Sequence, residues 1–68
     1  MNEDTLNTSV RRFLKKVGIT SQREIEKAVR DAVASGRQKG NEALPAKVTL
    51  TVGEVGVAVE IAGDIELA

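Results

Sequence analysis

The chain has 68 residues, ten Lys/Arg against ten Asp/Glu, one aromatic residue (Phe13), and neither cysteine nor histidine. That inventory excludes disulfides, thiolate chemistry, imidazole ligands for zinc, and the Ser–His and Cys–His arrangements of nucleophilic enzymes. The zero net charge hides an asymmetry: residues 1–40 carry nine basic and five acidic side chains, and residues 41–68 carry one and five. Such a dipolar chain can steer an anionic partner to one end, or pair head to tail with a second copy.

From Asp4 the apolar residues Leu6, Val10, Phe13, Leu14 and Val17 recur at the spacing of one helix face. They predict a helix over about 4–17, with Arg11, Arg12, Lys15 and Lys16 on the other side and Gly18 as its stop. Ser21-Gln22-Arg23-Glu24 has the form of a capping box, so a second helix is expected over about 21–35. Its apolar stripe is Ile25, Ala28, Val29, Ala32 and Val33, and Gly36 is its terminator. Residues 37–45 read as a linker, with a Gly40-Asn41 turn and Pro45 opening an extended segment.

From Lys47 the period becomes two. Val48, Leu50 and Val52 alternate with Lys47, Thr49 and Thr51, and Val55, Val57, Val59 and Ile61 follow on odd positions. Strands are expected over about 46–52 and 55–61, joined at Gly53-Glu54 in a two-residue turn that sets Val52 across from Val55 and Leu50 across from Val57. A third short strand over 65–67 follows Ala62-Gly63-Asp64. The expected fold is α+β: two N-terminal helices packed on an antiparallel hairpin or three-stranded meander, in one domain over 1–68. The chain shows no internal repeat, no low-complexity tract and no second domain.

Two function classes compete. Helix, Gly18 and capped second helix over residues 11–30 resemble a DNA-binding helix-turn-helix. Gln22 and Arg23 would then read base edges, and Lys27, Arg30, Arg11, Arg12, Lys15 and Lys16 would touch phosphate. Glu24, however, occupies the place six residues after the turn glycine where that motif buries an aliphatic side chain. A third bracing helix is missing, and the strands carry acids that phosphate repels. Nucleic acid is therefore the disfavoured partner.

The same charges also fit solvated helix faces. The expected function is a non-enzymatic interaction module whose partner is another protein or a second copy of itself, because a short chain with an aliphatic-only core gains most from a partner subunit. Glu60, Asp64 and Glu66 match no metal-loop spacing, and GEVG over 53–56 is no phosphate loop. No metal, cofactor or membrane is expected. The N-terminus lacks the basic-then-apolar order of a signal peptide, which points to a cytoplasmic protein.

The runs FLKKVGITSQREIEKAV and LPAKVTLTV resemble a family of short bacterial proteins of unknown function. The likeness extends from MNEDTLN to the closing GDIEL. It implies a stand-alone small protein, and it carries over no activity, ligand or site residue.

Overall fold

One helix, not two, forms the N-terminal half. In the computed structural model, which describes all of residues 1–68, α1 runs without interruption over Glu3–Ala34. At 1.5 Å per residue it is about 48 Å long. Asn2 caps it: the backbone is extended there and Oδ1 accepts a hydrogen bond from the Thr5 N–H at 3.0 Å. Glu3 and Asp4 in the first turn oppose the positive end of the helix dipole.

The other end is a Schellman motif. The Arg37 N–H donates to the Ala32 carbonyl at 2.9 Å and the Gly36 N–H to the Val33 carbonyl at 3.1 Å. Gly36 takes a φ of +80°, the left-handed conformation this motif requires. Gly36 is thus the terminator its position suggests.

Gly18 is not a stop, and the expected pair of helices over 4–17 and 21–35 is corrected to one. A glycine inside a helix costs only about 1 kcal/mol relative to alanine. A break would forfeit hydrogen bonds on both sides and interrupt an apolar stripe that continues across the site. That stripe is Leu6, Val10, Leu14, Val17, Ser21, Ile25, Ala28 and Ala32, with steps of 4, 4, 3, 4, 4, 3 and 4. Ser21 belongs to it and is half-buried, so it lies within the helix rather than capping a new one. Once the helix is uninterrupted, an 11-residue period appears: Leu6, Val17 and Ala28 share one line along the helix, and Leu14 and Ile25 share another.

The C-terminal half is a two-stranded antiparallel sheet of β1, Ala43–Val52, and β2, Val57–Glu66. Val52 pairs with Val57, Leu50 with Val59, Ala46 with Gly63 and Leu44 with Ile65. The loop therefore has four residues instead of two, and the register is shifted from the expected one. A single 3₁₀ turn over Gly53–Val55 is closed by Gly56, at φ +70°, whose N–H donates to the Gly53 carbonyl at 3.2 Å. The left-handed glycine is Gly56; Gly53 has no positive φ.

Side-chain size accounts for the register. It sets Leu44 beside Ile65 and small Ala46 beside Gly63, whereas the two-residue turn would set Leu44 against Gly63. Both loops have an even number of residues, so the inward positions stay as the alternation requires.

The expected third strand over 65–67 does not form. β2 runs straight through Ala62-Gly63-Asp64, because β1 begins at Ala43, inside the segment read as linker, and supplies pairing partners that far. The Leu67 N–H donates to the Glu42 carbonyl at 3.0 Å, which makes 42 and 67 a hydrogen-bonded pair. By alternation the Pro45–Asp64 pair is not hydrogen-bonded, so Pro45 forfeits no ladder bond.

The chain divides into two compact units, Met1–Arg37 and Gln38–Ala68. No side chain in either is buried.

Candidate interaction surfaces

At 100° per residue, the eight sequence-predicted site residues separate into two groups. Arg12, Lys16, Arg23, Lys27 and Arg30 fall within a sector of about 60° opposite the apolar stripe, over about 27 Å of helix. No acid shares that sector. Arg11, Lys15 and Gln22 sit nearer the stripe's edge. All eight are exposed. The only ion pair in this unit is Arg30 to Glu26 at 3.9 Å, one helical turn apart and open to solvent, an arrangement that stabilises by a few tenths of a kcal/mol.

The helix-turn-helix placement is corrected along with the two helices. Residues 18–21 are helical, so there is no turn, and Gln22 and Arg23 lie mid-helix instead of at a recognition helix's first turn. What the continuous helix brings together is a one-sided basic face.

The stripe opposite remains accessible: Leu6 is 43 % exposed, Leu14 50 % and Phe13, on its shoulder, 51 %. Midway along, Phe13, Lys16, Val17, Thr20 and Ser21 line a shallow recess.

The hairpin unit also has two unlike faces. Leu44, Ala46, Val48, Leu50 and Val52 of β1 line one side together with Val57, Val59, Ile61 and Ile65 of β2, by strand alternation. The other side carries Lys47, Thr49, Thr51, Glu60, Asp64 and Glu66. Lys47 Nζ reaches Glu60 Oε1 at 3.6 Å across the diagonal of the ladder. The three acids share a face of β2, and no group of three or more acids is placed to hold a metal ion.

Glu42 is the residue that sequence reasoning missed. Its carboxylate accepts backbone N–H bonds from Lys39 at 2.8 Å, Gly40 at 2.9 Å and Asn41 at 3.1 Å. These bonds, Lys39's foremost, hold its pKa below the ordinary glutamate value. Gly40 makes the concave turn possible with a φ of +102°. The available signal was an acid two residues after a glycine turn, but a turn's amides attract a carboxylate only once its geometry is known. The chain's own side chain fills this anion nest, so its role is to pin the approach to β1.

A long two-faced helix followed by a two-faced hairpin defines a small α+β protein whose distinguishing surfaces are exposed apolar faces and one basic face. The chain belongs to the family of unknown function DUF6494, whose model matches residues 1–68 in full. No curated protein and no solved structure matches it. No helix is long and apolar enough to cross a membrane.

Proposed function

We propose that this protein is a small non-enzymatic interaction module that self-associates. One observation carries the reading: apolar side chains line a whole face of each unit, yet none of them is buried. A two-stranded hairpin is marginal in water on its own, and a helix draws most of its stability from packing an amphipathic face. Exposed apolar faces of this extent mark interaction sites. The non-enzymatic part rests on the residue inventory, which lacks the imidazole and thiol groups that most often act as bases and nucleophiles.

Sedimentation equilibrium of the full chain over a concentration series tests self-association. The expected mass is a multiple of the 7.3 kDa chain, and it should persist at high salt because the driving surface is apolar. A monomer at every concentration would end this reading.

The basic face favours a second reading, binding to a polyanion such as nucleic acid. Arg12, Lys16, Arg23, Lys27 and Arg30 would contact phosphates without reading bases, so binding would be independent of sequence and steeply salt-dependent. Titration of duplex DNA at low salt, followed by amide shifts, tests it; unmoved resonances at these five positions would remove it.

A further inference from the structure

The apolar stripe of α1 is graded. Leu6, Val10, Leu14 and Val17 fill its first half, and Ser21, Ala28 and Ala32, with Ile25, fill its second. We infer that α1 pairs antiparallel with α1 of a second copy, along this stripe, about a two-fold axis near Ile19. This rests on the self-association proposed above and specifies its surface and geometry.

Side-chain volume is the first argument. Reversing the helix about residue 19 sets Leu6 against Ala32, Val10 against Ala28 and Val17 against Ser21, with Leu14 and Ile25 meeting one residue out of level at the remaining layer. Three of the four pairs match a large residue with a small one, which keeps the helices evenly spaced and lets the layers interdigitate. The shallow recess lined by Phe13, Lys16, Val17, Thr20 and Ser21 lies on the shoulder of the seam, at the level of the axis. A parallel pair would stack Leu and Val on themselves at one end and Ala on Ala at the other. The axes would then have to splay.

Period is the second argument. Steps of 4, 4 and 3 average 3.67 residues, close to the helix's own 3.6, so the stripe runs nearly along the axis for about 39 Å. A straight partner can follow it from end to end.

Electrostatics is the third. Antiparallel helix dipoles attract, whereas parallel ones repel. The basic row of Arg12, Lys16, Arg23 and Lys27 points away from the seam in either case.

The absence of native cysteine makes the geometry directly measurable. Full-length V10C and A28C chains are prepared separately and then mixed in a glutathione redox buffer, with circular dichroism checking that each keeps its helix and light scattering giving the mass. The antiparallel seam predicts that the mixed 10–28 disulfide exceeds either like–like disulfide by about tenfold or more, because like positions lie about 27 Å apart and a disulfide spans ~7 Å at most between Cα atoms. Like–like disulfides in excess would overturn the antiparallel arrangement. A dimeric mass with no favoured disulfide would overturn the helical seam and leave self-association to another surface. A monomeric mass would overturn both.

Discussion

The helical and hairpin units each place apolar residues on one face and charge on the other, but they hold their geometry by opposite means. Every turn of α1 is closed by hydrogen bonds to residues four away, so a weak residue costs only its local share. The hairpin's register depends on one loop, and every pair along both strands moves if that loop changes. The same residue type therefore has opposite consequences in the two halves. Gly18 sits in a helix that would be better without it, whereas Gly56 occupies a backbone conformation that L side chains rarely adopt. A glycine punctuates a chain only where the surrounding bonding has nothing to lose by stopping.

The sharpest way to break that contrast is proline at the position tolerating glycine. Gly18→Pro removes an interior hydrogen bond and clashes with the preceding turn, at a cost of about 3 kcal/mol or more. Helicity by circular dichroism should fall markedly, and unchanged helicity would mean that residues 18–21 form a turn after all. Next in size is the hairpin. Gly56→Ala forces a side chain into the left-handed region and should destabilise the hairpin by about 1–2 kcal/mol, read as lost cross-strand NOEs. Gly53→Ala meets open space without a positive φ and should cost far less. A two-residue turn with the left-handed glycine at 53 predicts the reverse order.

Gly18→Ala reverses the sign. The added methyl meets nothing within 4 Å, and alanine is the better helix former, so thermal or urea unfolding should show a gain of about 1 kcal/mol. A left-handed turn at Gly18 would give a loss instead.

The smallest effect belongs to Glu42. Its pKa is lowered by the amides of Lys39 and Gly40 first, then by those of Glu42 and Asn41. Its stabilising contribution is therefore present above the ordinary glutamate value of 4.5 and is lost as pH falls through the depressed one. Solvent exposure keeps it slight. The Lys39, Gly40 and Asn41 amide resonances should titrate together with a midpoint below 4.5, and a midpoint at or above that value would contradict the nest.

Much of this was legible in the residues. The switch to a period of two in the C-terminal half, the parity of the inward positions, the Gly36 terminator and the α+β class follow from spacing alone, although β1 begins at Ala43 and not near Lys47. The helix boundary at 18–21 was not, because Gly18 and the Ser21–Glu24 box are true local preferences worth about 1 kcal/mol each, outweighed by the backbone hydrogen bonds that a break would forfeit on both sides of the site. The hairpin register was not either, since Gly53 and Gly56 both suit a turn and only the distant pairing of Leu44 with Ile65 chooses between them. As to sites, the basic residues were found but their grouping was not. That grouping depends on the phase between Arg12 and Arg23, which a turn at Gly18 would have scrambled.

Continuity of the helix through residues 17–22 is the claim on which the one-sided basic face and the graded seam both depend. Carbon-13 secondary shifts of the full chain measure it directly. A continuous helix predicts helical Cα shifts from Val17 to Gln22 without a gap, joined by NOEs between residues three and four apart across Gly18. Extended or left-handed shifts at Gly18, Ile19 or Thr20, followed by a fresh cap at Ser21, would contradict it.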